Sequence, residues 1–152
     1  MKCNTDNFAN YLFDTEVNGN KIFSLSKSSS LTYANLKKEV KNNSYILKNT
    51  FSKKQLIAIY IPNSTDFIVN YLSVLISGHA AVILDTSQPI NKQISLIKKH
   101  CISTVITTKN FLEKFKNFSY KNFLLLDAKC LNNIAVNNST IIKRRDLDPS
   151  LA

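Results

Sequence analysis

The stretch from Gln55 to Pro89, QLIAIYIPNSTDFIVNYLSVLISGHAAVILDTSQP, constrains the fold more than any other. It opens with an apolar run, Leu56–Ile61, and turns at Pro62-Asn63-Ser64. Phe67, Ile68, Tyr71, Leu72 and Leu75 then recur at three- and four-residue steps, as on one helix face, and Gly78 stops them. A second apolar run, Ala80–Leu84, ends at Asp85. Run, helix, run is the sequence form of a β-α-β unit. Continuous apolar runs fit parallel strands buried on both faces. A parallel pair needs a crossover of about a dozen residues, and this segment supplies it.

The rest of the chain extends the pattern on both sides. Asp6–Phe13 carries Phe8, Tyr11 and Leu12 at helical spacing. Lys21–Leu25 and Ser30–Tyr33 read as two short strands joined by a hairpin-like loop. Thr32 is placed to cap a helix reaching about Leu47, with Leu36, Val40 and Leu47 inward and Lys37, Lys38, Lys41 and Lys48 toward water. Asn63 or Ser64 caps the central helix, Asp66 suits its first turn, and Gly78 suits its C′ position. Pro89 suits the first turn of a helix reaching His100, with Ile90, Ile94 and Ile97 as its stripe. Ser103–Thr107 is a third parallel strand, Asn110–Phe118 a shorter helix, and Phe123–Leu126, ending at Asp127, a fourth strand. Ile141–Lys143 suits one more short strand.

The expected class is therefore α/β. It is a partial doubly wound, mostly parallel sheet with flanking helices, preceded by a short helix and a β-hairpin. Residues 1–50 hold helix, hairpin and helix, 51–130 the βαβ repeats, and 131–152 an irregular tail. Asp85 falls just past the carboxyl end of a parallel strand, where open α/β sheets usually bind ligands. The competing role for its carboxylate is to shape the turn into the next helix. His79 reads as a loop or strand-start residue.

Several of these pieces, in this order, resemble the N-terminal region of the adenylate-forming family, which includes acyl-CoA synthetases and amino-acid adenylation domains. They are Leu31-Thr32-Tyr33-Ala34-Asn35-Leu36, the strand Ile57–Ile61, Pro62-Asn63, the helix end Tyr71–Gly78, and Leu84-Asp85 with Pro89. The sequence departs from the family at a few points. Asn35 stands where an acidic residue is usual, Lys54-Gln55 where Gly-Asp is usual, Ile83 and Thr86 where Pro is common, and Lys92 where Arg is common. The last change keeps a charge but loses a bidentate fork.

For a complete family member the resemblance implies ATP and Mg²⁺, a carboxylic-acid substrate, and a Ser/Thr/Gly-rich nucleotide loop ending in Lys. That loop would follow a segment like Arg145–Ala152. None of the matched positions is a catalytic, cofactor-binding or metal-binding one, so the chain is expected to contribute no such residue. The sequence agrees on its own terms. It has only two glycines, Gly19 and Gly78. It has no phosphate-cradling loop, no defensible nucleophile–base pair, and no paired carboxylates on a helix face.

Composition closes off other classes. The formal charge is +10, which favours polyanions in principle. The lysines, however, are scattered among asparagines, and Lys143-Arg144-Arg145 has no interleaved aromatic on which bases could stack. A solvated basic surface is expected rather than a specific nucleic-acid site. Cys3, Cys101 and Cys130 form no CxxC pair and no metal spacing, and Cys101 reads as a small core residue. No stretch approaches the roughly 18 apolar residues of a membrane span, and the opening lacks a signal-peptide pattern, so a cytoplasmic location is expected.

Three readings follow. The chain is the opening of an ATP-dependent carboxylate-activating ligase, inactive alone. Or it is one subunit of a split ligase, completed by a complementary subunit that carries the nucleotide loop rather than by the rest of the ligase in cis. Or it is a stand-alone binding module on an α/β scaffold. The acid activated and the final acceptor stay open.

Overall fold

The computed structural model describes residues 18–25, 30–115, 118, 123–129 and 131. The helix expected over Asp6–Phe13, the strand at Ile141–Lys143 and most of the expected tail lie outside them. Strands β1 (Ile22–Leu25) and β2 (Ser30–Thr32) pair antiparallel, with a register shift between Ile22 and Ser24. Helix α1 (Tyr33–Thr50) starts at Thr32, whose hydroxyl accepts the Asn35 N–H at 3.3 Å. It buries Leu36, Val40 and Leu47 and exposes the four expected lysines. It runs one turn beyond Leu47.

The main sheet follows: β3 (Leu56–Tyr60), α2 (Thr65–Ile76), β4 (Ala80–Ile83), α3 (Ile90–Lys99), β5 (Thr104–Thr107), a 3-10 segment (Lys109–Phe115) and β6 (Leu124–Asp127). All pairings are parallel, in the spatial order β4-β3-β5-β6. Alternation along β3 divides the core. Ile57, Ile59 and Ile61 face α1 and α2, packing with Leu47, Val74, Ile106 and Leu126. Ala58 and Tyr60 face α3 and the 3-10 segment, packing with Ile97, Val105, Phe115 and Leu125. Helices thus cover both faces, as a doubly wound sheet requires. A third cluster joins Leu31 of the hairpin to Leu36, Val40, Val69 and Leu72.

Four expectations change. Strand β4 is not buried on both faces: among the described residues it pairs only with β3, and Ile83 is 58% exposed. Pro89 is the N-cap of α3 rather than a helical residue, with ψ 136°. The helix after β5 spans Lys109–Phe115, in 3-10 form, rather than Asn110–Phe118. Cys101 is exposed rather than in the core, and its φ is +51°. The C-terminal turn of α3 forces it outward while Ile102 takes the buried place.

Candidate functional site

The order β4-β3-β5-β6 creates one topological switch point. The chain leaves β3 through α2 toward β4, and leaves β5 through the 3-10 segment toward β6. The two connections diverge at the carboxyl ends of β3 and β5, the place where sheets of this kind bind ligands.

Its β3 side is the turn Pro62-Asn63-Ser64, exposed, leading into α2. The Ser64 hydroxyl accepts the Phe67 N–H at 3.2 Å, and Asp66 sits in the helix's first turn. On the β5 side, the Thr107 hydroxyl donates to the Tyr60 carbonyl at 2.9 Å and locks the strand ends together. Beneath lies Tyr60, fully buried, with Phe111 and Phe115 edge-on at 5.4 Å each. The Lys114 ammonium donates to the Tyr60 hydroxyl at 3.2 Å and stands 4.6 Å from the Phe111 ring centre. Lysine over aromatic faces is an electrostatic attraction that holds a cation in place. The sequence carries no sign of this group, because Tyr60 and Lys114 lie far apart in the chain.

The remaining candidates are structural. Asp85 is exposed beyond the edge strand β4, outside the switch point. Its Oδ1 accepts the Ser87 hydroxyl at 2.7 Å and the Ser87 N–H at 2.8 Å. Those bonds, the hydroxyl first, hold its carboxyl below its ordinary pKa. This is the turn-shaping role. Asp127 does the same after β6, its Oδ1 accepting the Lys129 N–H at 2.8 Å. Lys92 is exposed on α3. His79 lies at the opposite end of the sheet, buried, its Nδ1 accepting the Gln55 N–H at 3.3 Å.

The residues present do not fit ATP or Mg²⁺. Both glycines are used structurally. A Cβ on Gly19 would come within 3.2 Å of the Ala34 Cβ, and Gly78 holds φ +84° at the end of α2. Among the described residues no three His, Cys, Asp or Glu gather as a metal would require. Among the described residues the switch point presents the N-terminus of α2, the Asn63 amide and the Lys114 ammonium.

The family of AMP-binding enzymes matches residues 14–149. Solved structures share the fold at low identity. A benzoate CoA ligase from Burkholderia xenovorans LB400 aligns with TM-score 0.71 and 18% identity, over 83% of this chain and 26% of its own. The anthranilate CoA ligase AuaEII, in complex with anthranoyl-AMP, aligns with TM-score 0.72 and 13% identity, over 80% and 25%. MatB from Rhodopseudomonas palustris aligns with TM-score 0.68 and 16% identity, over 84% and 26%. The chain spans about a quarter of the length of these structures. No curated protein matches it.

Proposed function

The chain belongs to the family of AMP-binding enzymes, and from that premise we propose that it forms the opening scaffold of an ATP-dependent ligase that activates a carboxylic acid as its acyl-adenylate. The observation that carries this reading is the family match over residues 14–149, on a sheet shared with acyl-CoA ligases. The hairpin strands and α1 pack on α2, and β3 to β6 supply the parallel sheet. The groups that bind ATP, Mg²⁺ and the acid come from other parts of the ligase. The acid activated and its final acceptor are chosen there too.

The test starts with the protein as its native host makes it. Antibody capture and intact mass are followed by carboxylate-dependent ATP–pyrophosphate exchange. The expected result is a species well above 17.2 kDa that exchanges pyrophosphate when given its acid. A 17.2 kDa species that holds a second polypeptide and exchanges only with it supports the same reading with the parts on two chains. A 17.2 kDa species with no partner and no exchange overturns it. Exchange by the 152-residue chain alone overturns the scaffold role.

A further inference from the structure

The edge of the parallel sheet where the strands begin carries exposed charge of one sign among the described residues. Three connections meet at the edge where the strands begin. The Gln55 N–H bonds His79, the Ala80 N–H bonds the Gln55 carbonyl at 2.9 Å, and the Ser103 hydroxyl bonds the Gln55 side chain at 3.4 Å. Lys53 and Lys54 immediately precede Gln55, and Lys98 and Lys99 lie just before Ser103; all four are exposed. Among the described residues no Asp or Glu lies in these three connections, whereas the other edge is mixed, with Asp66, Asp85 and Asp127 beside Lys109 and Lys129.

Helix C-termini attract cations, which accounts for Lys98 and Lys99 at the end of α3. It does not account for Lys53 and Lys54, which lie past the end of α1. Nor does it account for the apolar groups set among them. Leu56, the first residue of β3, is 41% exposed, and Leu96, one turn before His100, is 42% exposed. The only described aromatic ring at the α1–β3 turn, Phe51, is half-buried against His79 and is not free to stack on a base.

We propose that this edge, Lys53, Lys54, Lys98 and Lys99 around Leu56 and Leu96, docks the protein on an anionic lipid surface. The lysines meet the negative headgroups, and the two leucines reach the boundary of the acyl region. The carboxyl edge, with its switch point, faces away from the lipid and stays open.

The experiment is co-sedimentation of the protein, as its host makes it, with vesicles of phosphatidylcholine alone or with about 30% phosphatidylserine, a lipid mixture with the anionic surface potential that attracts basic segments. Binding is expected only to the anionic vesicles and is lost in high salt. Lys53→Gln with Lys54→Gln should weaken it about tenfold or more. Lys109→Gln with Lys129→Gln, at the opposite edge and equal in charge, should leave it within about twofold, since a surface potential fades within a Debye length. Leu56→Ser should weaken vesicle binding and leave any binding to polyuridylate unchanged. Absence of binding to anionic vesicles overturns the proposal. So do equal losses from the two lysine pairs, or binding to polyuridylate but not to vesicles. Circular dichroism of each variant keeps misfolding from imitating a loss.

Discussion

Gly78 and Cys101 hold the same backbone role at the ends of α2 and α3. After α2, the Gly78 N–H bonds the Leu75 carbonyl and the His79 N–H bonds the Val74 carbonyl. After α3, the Cys101 N–H bonds the Lys98 carbonyl and the Ile102 N–H bonds the Ile97 carbonyl. Both are Schellman turns, and both put the C′ residue at positive φ. Glycine does this freely, whereas a residue with a Cβ pays about 1–2 kcal/mol. Cys101→Gly should therefore raise stability by up to about 1 kcal/mol, after the extra chain entropy of glycine is subtracted. Gly78→Ala should lower it by about 1 kcal/mol through the backbone alone, because a Cβ there meets nothing within 4 Å. Urea titration of both variants reads the opposite signs.

His79 makes a second prediction at this scale. Burial holds its pKa below the ordinary 6.5, while the nearby Leu47 carbonyl pulls weakly the other way. Its Nδ1 is already an acceptor for the Gln55 N–H, and its Nε2 is buried without a hydrogen bond of good geometry. Below pH 6.5 the unfolded chain takes up a proton that the folded chain resists. Stability contributed by neutral His79 is full above 6.5 and is lost as pH falls toward the lower folded value. His79→Phe should flatten stability against pH in that window, while lowering it overall by about 1–3 kcal/mol for the orphaned Gln55 N–H. An unchanged slope in the variant would show that another group titrates there.

The elements are held by caps and by a few cross-links between them. Ser64 starts α2 by accepting the Phe67 N–H, so Ser64→Ala should cost about 1 kcal/mol in thermal or urea unfolding. Asn70, fully buried in the middle of α2, donates to the Ala128 carbonyl at 2.8 Å and ties that helix to the end of β6. Among the described residues its Oδ1 has no partner. Asn70→Ala should cost about 1–3 kcal/mol by stranding the Ala128 carbonyl. Amide exchange should quicken around Ala128 before it quickens in β3. The caps were legible in the sequence, because capping is a matter of side chains within one turn. The Asn70 cross-link was not, since it joins residues far apart in the chain. The 3-10 form of Lys109–Phe115 was hidden for a related reason. Phe111, Phe115 and Phe118 show a helical spacing, but Tyr60, on which Phe111 and Phe115 both pack edge-on, lies far away in the chain.

On the scale of the whole molecule, the sequence by itself determined the α/β class, the run of strands and helices, and the family. Those depend on short-range periodicity, on turn residues such as Pro62-Asn63 and Gly78, and on a linear order of pieces from Leu31 to Pro89. Tertiary structure alone decided the strand order, and with it three consequences. β4 became an edge strand with Ile83 exposed, although its apolar run looks like a buried one. The switch point fell between β3 and β5, bringing Lys114 to Tyr60 across the fold. And Lys53, Lys54, Lys98 and Lys99, far apart in the chain, were brought to the one edge where the strands begin. The physical reason is common to all three. Hydrogen-bonded pairing of parallel strands joins residues through crossovers, and the partner of each strand is chosen by packing on both faces of the sheet. A local pattern shows that a segment will be a strand but not which neighbour it will meet.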